Sequence, residues 1–179
     1  MENDSLIAEG ILSLLRKGRG VEQMRNTEIM SETGIDRDVI HDHLRDRDFF
    51  DRNYRRVTED FLRRVGRTAN IGFASVFLSC VIDHRTWFNI EFCRKSHRLF
   101  MDIMRTLRPR ITSRWSIQAK DRESIFYRLF CQEMFFLLET WSENGFIGSQ
   151  EPEIEARLHK IVTAFASGSI NIIMNSILY

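Results

Sequence analysis

The stretch Asn26–Arg45, NTEIMSETGIDRDVIHDHLR, decides the fold. Two short helices fit it, at about 26–33 and 37–44, separated by Thr33-Gly34-Ile35-Asp36. Gly34 suits the left-handed position that follows a helix, because it has no Cβ to clash there. Asp36 can cap the next helix by accepting a free amide of its first turn. Upstream, Leu6, Ile7, Ile11, Leu14 and Leu15 recur at three- and four-residue spacing. They define one face of a first helix that ends in the basic, glycine-rich stretch RKGRG at 16–20. Downstream, Asp46 can cap a longer helix in which Phe50, Tyr54, Val57, Phe61 and Val65 share a stripe. Two short helices on a tight glycine turn, with a supporting helix on either side, make a helix-turn-helix pattern.

Beyond residue 68 the helical pattern continues and becomes more apolar. Helices are predicted at about 68–82, 84–94, 96–108, 121–143 and 151–167, with Pro109 interrupting a basic segment. Gly145 and Gly148 bracket a turn before Glu151. No sustained period-2 alternation and no Asn-Gly hairpin appears, so the expected fold class is all-α. The organisation expected is an amino-terminal three-helix helix-turn-helix domain at 1–48. A larger helical regulatory and dimerisation domain follows at 49–179.

Composition narrows the class. The chain has 179 residues, 43% hydrophobic and 28% charged, with 14 Phe but only 2 Pro. That apolar content excludes a disordered chain, and so few prolines leave little room for linkers. Three cysteines, at 80, 93 and 131, form no C-x-x-C and cannot all pair, which suits a reducing cytosol. The first residues, MENDSLIAEG, have neither a basic n-region nor a long apolar core. No stretch reaches the roughly 18 charge-poor apolar residues of a membrane span. The chain is therefore expected to be soluble and cytoplasmic.

The net charge of +1 hides an uneven distribution. Residues 1–66 carry 12 basic and 14 acidic side chains, whereas residues 94–122 carry 9 and 2. The second segment looks the better nucleic-acid candidate by charge alone. Its arginines nonetheless interleave with Leu99, Phe100, Ile103, Met104 and Leu107 at helical spacing, as on an amphipathic helix with a cationic outer face. In the first segment Asp36, Asp38, Asp46 and Asp48 fall at caps or in first helical turns. Carboxylates there satisfy free amides and complement the helix dipole, worth up to roughly 1 kcal/mol each. Asp42 has no such explanation. Asp38 also has a second reading, as an acceptor for a cytosine amino group.

The run from Gly20-Val21 through Thr27-Glu28-Ile29-Met30-Ser31-Glu32-Thr33-Gly34-Ile35, then Val39-Ile40-His41-Asp42-His43-Leu44 and Asp46-Arg47-Asp48-Phe49-Phe50, resembles the TetR family of transcriptional regulators. The resemblance covers about residues 5–60. It departs from the family pattern where His41 replaces a tyrosine, Leu44 a phenylalanine, Asp36 a serine, and Asp46-Arg47 a serine-lysine pair. It implies double-stranded DNA as partner, with contacts from Arg25, Thr27, Arg37, Asp38, His41, His43, Arg45 and Arg47. Arginine binds phosphate or guanine bidentately, which suits the Arg-rich surroundings of the turn, where Arg16, Lys17 and Arg19 also lie.

Near the C-terminus, Trp141-Ser142-Glu143-Asn144-Gly145-Phe146 followed by Glu153-Ile154 looks like the family's junction between its last two long helices. The resemblance implies a homodimer through those helices, with Phe135, Leu138, Trp141, Leu158, Ile161, Val162 and Phe165 at the interface. The residues agree in one respect: 125–141 is apolar nearly all round, more than one amphipathic contact absorbs. The resemblance also implies an effector pocket, drawn from Phe73, Phe77, Trp87, Phe88, Phe92, Phe100, Met104, Phe130 and Met134. Such a lining suits a hydrophobic or aromatic small molecule, although each of these residues also reads as plain core. Cys80/His84 and Cys93/His97 each sit four apart, a spacing that can chelate metal on one helix face, but a helix break near residue 83 weakens the first pair. No metal and no other cofactor is expected. Nor is an enzyme, since no nucleophile motif, phosphate-cradling glycine loop or metalloprotease pair occurs. The function expected is a ligand-responsive homodimeric regulator, a repressor on a pseudo-palindromic operator. The alternative is a TetR-like co-regulator that docks a partner protein instead of DNA.

Overall fold

The computed structural model describes residues 2–45, 48–68, 70–113, 120–143, 146 and 151–167. Among them the regular structure is helical, with no strand. The helices are α1 (Glu2–Arg16), α2 (Asn26–Thr33), α3 (Arg37–Arg45), α4 (Phe49–Arg64), α5 (Asn70–Asp83), α6 (Arg85–Cys93), α7 (Arg98–Thr112), α8 (Lys120–Glu143) and α9 (Glu151–Ser167). Short 3-10 turns occupy Val21–Gln23 and Val65–Arg67. A local departure is Pro109, expected to interrupt its segment but seated in the last turn of α7. A proline there costs one amide hydrogen bond while its fixed φ stays helical, and Leu99, Ile103, Met104 and Leu107 hold the helix by burial. Among the described residues no helix is long and apolar enough to cross a membrane.

The chain divides into two compact units, each discontinuous in sequence: Met1–Val57 with His84–Leu99, and Thr58–Asp83 with Phe100–Tyr179. The first unit takes in more than residues 1–48, because α6 is packed into it. Phe49 and Phe50 meet Trp87 at 5.8 and 6.4 Å between ring centroids, and Tyr54 donates to Glu91 at 2.5 Å.

In the first unit α1 packs against α2 and α6, and α2 against α3. Ile7, Ile11, Leu14, Ile29 and Ile40 form its core. Gly10 lets α1 and α2 approach closely, since a Cβ there would lie 2.5 Å from the Thr33 methyl. In the second unit α9 packs against α5 and α8. Its core is aromatic: Phe130 touches Phe73 and Phe165, and Phe77 touches Phe61 and Phe73.

Candidate nucleic-acid interface

The turn between α2 and α3 forms as its residues dictate. Gly34 has φ +71, and its amide donates to Met30 O at 2.8 Å, closing α2 in the left-handed conformation. Asp36 Oδ1 accepts the Asp38 amide at 2.8 Å and so caps α3. Buried Ile29 and Ile40 fix the two helices from within. These contacts leave Arg37, Asp38, His41, Asp42 and Arg45 exposed along α3. Spacings of three and four residues put them on one face.

The remaining nominated contacts divide. Arg25 and Thr27 are exposed at the start of α2. Asn26 Nδ2 lies 3.4 Å from His41 Nδ1, joining the start of α2 to the middle of α3. Arg47 and Asp46 lie outside the described residues. His43 is half-buried and turned toward α1, where its Nδ1 meets Asp4 Oδ1 at 2.9 Å, so it holds α3 in place and does not join the open face. The position follows from helical geometry: His43 is three residues beyond buried Ile40 and shares its inward side.

Asp4, only 6% exposed, is a residue that sequence reasoning missed. Besides His43 it faces Arg52 at 3.7 Å and Arg56 at 3.5 Å, both on α4. Burial pushes the Asp4 carboxyl up, but the His43 hydrogen bond and the two arginines outweigh this and hold it below the usual carboxylate range. Its only sequence signal was a carboxylate near the inward side of an amphipathic helix.

Charge around the turn is largely matched. Lys17 Nζ pairs with Glu32 Oε1 at 2.5 Å, and Arg19 Nη2 with Glu28 Oε1 at 2.5 Å. Glu28 also accepts the Arg25 amide at 2.8 Å, and Glu32 the Ser13 hydroxyl at 2.6 Å. Both carboxyls are held below their ordinary value, Glu28 first by the Arg25 amide and Glu32 first by Lys17. Lys17 and Arg19 therefore fasten α1 and the loop after it to α2. The α3 face itself carries Arg37 and Arg45 against Asp38 and Asp42, with no formal net charge when His41 is neutral.

The other nominated sites are placed differently from their sequence groupings. Of the nine pocket candidates, Trp87, Phe88 and Phe92 belong to the first unit and the other six to the second. Phe73, Phe77, Phe100, Met104, Phe130 and Met134 are buried in the second unit's core. Six of the seven interface candidates, Leu138, Trp141, Leu158, Ile161, Val162 and Phe165, are also buried within the chain, and Phe135 is half-buried against Phe100. Among the described side chains of α8 the large hydrophobic ones that stay exposed are Ile125, Leu129 and Phe136, at 58, 39 and 66%.

Neither Cys/His pair shares a helix. α5 ends at Asp83 before His84, and α6 ends at Cys93 before His97. Burial pushes the Cys80 thiol up to about 12, unlike a metal-binding thiolate. Among the described residues no group of three or more His, Cys, Asp or Glu side chains is placed to hold a metal. Comparison of this chain with protein-family models, curated proteins and solved structures finds no match.

Proposed function

We propose that this protein is a TetR-like, DNA-binding transcriptional repressor that acts as a homodimer on a pseudo-palindromic operator. The observation that carries the reading is the α2–α3 pair: two short helices joined at left-handed Gly34, with the polar face of α3 exposed. A helix presented this way enters the major groove, where Arg37 reads guanine or binds phosphate and Asp38 accepts from cytosine. The exposed Ile125, Leu129 and Phe136 stripe on α8 supplies a self-complementary apolar face for a two-fold dimer. A hydrophobic or aromatic effector binds the second unit and favours the dimer state whose recognition helices no longer match the half-site spacing. The site of action is the cytoplasm.

Selection from a random duplex pool tests the reading. It requires an enriched site with a steep salt dependence, lost in Arg37→Ala. A second reading, a co-regulator that docks a partner protein, is favoured by the matched charges of the α3 face and by the pairing of Lys17 and Arg19 with α2 carboxylates. No enriched duplex even at low salt, together with a stable complex through α3 that Asp42→Ala disrupts, would replace the first reading with the second.

A further inference from the structure

The connection between α6 and α7 places cations beside the start of α4. Arg94, Lys95, His97 and Arg98 are all exposed there. α6 ends with the Ser96 amide donating to Glu91 O at 2.9 Å and the Lys95 amide to Phe92 O at 3.0 Å. That hydrogen-bond pattern puts the intervening residue in the left-handed region, and here it is Lys95, with φ +52. Glycine is the favoured occupant of such a position, so a lysine is held there against its backbone preference.

The connection is fixed from two sides. Buried Glu91 accepts the Ser96 hydroxyl at 3.0 Å and the Leu99 amide at 2.9 Å. The Arg94 guanidinium lies 4.7 Å over the Phe50 ring, and Arg98 Nη1 is 2.7 Å from Asp51 Oδ1. Phe50 and Asp51 stand in the first turn of α4, a few residues beyond the end of α3 at Arg45. Arg94 and Arg98 therefore lie against the first turn of α4, with Lys95 exposed between them in sequence.

Charge points the same way. Residues 1–57 carry a formal charge of −2. Residues 84–99 add Arg85, Arg94, Lys95 and Arg98 against the single acid Glu91, which brings this unit to +1. The acid is buried, and the added cations at the connection are exposed.

We propose that the α6–α7 connection is a second DNA contact, in which Lys95 and Arg98 bind backbone phosphates flanking the bases met by α3. This rests on the DNA-binding reading above. It divides the labour between two surfaces of one unit: a charge-matched helix that discriminates sequence, and a cationic connection that supplies affinity without reading bases.

The test uses the full chain and the duplex enriched by selection, in a long form and in a form trimmed of its flanks. The variant is Lys95→Gly/Arg98→Gln, with glycine chosen because it relieves the left-handed backbone and preserves the connection. A circular-dichroism melt verifies that the variant folds. On the long duplex the salt slope is expected to fall by about 2, near 0.9 for each phosphate no longer neutralised, with base preference unchanged. On the trimmed duplex the variant and the wild-type chain should bind alike. If the variant keeps the wild-type slope and affinity on the long duplex while Arg37→Ala abolishes specific binding, the second contact is wrong and the α3 reading stands. If the wild-type chain binds no duplex with salt dependence, both fall together.

Discussion

The two units are built by different means. The four buried polar or charged residues described, Asp4, Asn53, Asn89 and Glu91, all belong to the first unit. The second is filled by large rings, among them Phe61, Phe77, Phe130, Trp141 and Phe165, each nearly inaccessible. Apolar volume dominates the second, where α9 packs against α5 and α8. Three helices of the first, α2, α3 and α6, are only eight or nine residues long, and α3 buries only Ile40 fully. One apolar anchor does not set the rotation of a nine-residue helix. Directional bonds from Asp4 and Glu91 supply what area cannot.

Truncating the aromatic core has the largest expected effect. Phe130→Ala should cost the second unit about 3–5 kcal/mol, read from urea denaturation. The truncation leaves a cavity among Phe73, Tyr127 and Phe165 that those rings cannot fill. A cost below about 1 kcal/mol would mean that the core is loosely packed and the contrast between units is false.

Removing the polar anchor at Glu91 should come next. Glu91→Leu strands the Tyr54 hydroxyl, the Ser96 hydroxyl and the Leu99 amide, at a cost of about 3 kcal/mol. Glu91→Gln, which keeps one acceptor oxygen, should recover part of it. The phenol of Tyr54 is a dependable donor, because burial and then the charge of Glu91 push its ionisation far above the usual range. Equal stability of the Leu and Gln variants would show that hydrogen bonding does not organise this unit.

Asp4→Asn should cost about 2 kcal/mol at neutral pH, since it removes a charged acceptor from His43, Arg52 and Arg56. The sign of its pH dependence follows from the lowered carboxyl. Stabilisation by Asp4 is complete above the unfolded-state value, near pH 4, and is lost as pH falls through the lower folded-state value. Urea midpoints of the wild-type chain and Asp4→Asn should therefore converge in acid. A gap that widens below pH 4 would contradict the network. The smallest effect is expected at Lys95→Gly alone, which should stabilise the first unit by up to about 1 kcal/mol by relieving the positive φ. Thermal melts can resolve that change.

Much of the local fold was legible in the chain. Gly34 and Asp36 marked the end of α2 and the start of α3 because left-handed φ and an amide-accepting carboxylate are tasks few residue types perform. The stripes on α1, α4 and α7 marked their buried faces through the 3.6-residue period. Pro109 misled because its cost, a lost amide bond and a ring against the carbonyl one turn back, is outweighed by burial of Leu99, Ile103, Met104 and Leu107.

What the sequence left open was which faces meet. Periodicity identifies an apolar stripe but not its partner, so Leu138, Trp141 and Phe165 read equally well as core or as an interface between copies. Tertiary packing buried them and left Ile125, Leu129 and Phe136 outside. The same holds for charge. Counting along the chain put Arg94, Lys95 and Arg98 on the cationic outer face of an amphipathic helix, whereas packing set Arg94 and Arg98 against α4. Composition and period thus determined the all-helical class, the turn at Gly34 and the cap at Asp36, which depend on neighbours within a few residues. The pairing of Asp4 with His43 and of Tyr54 with Glu91 joins residues nearly 40 positions apart. Such contacts arise only once helices have docked, because their direction is set by the whole packed unit.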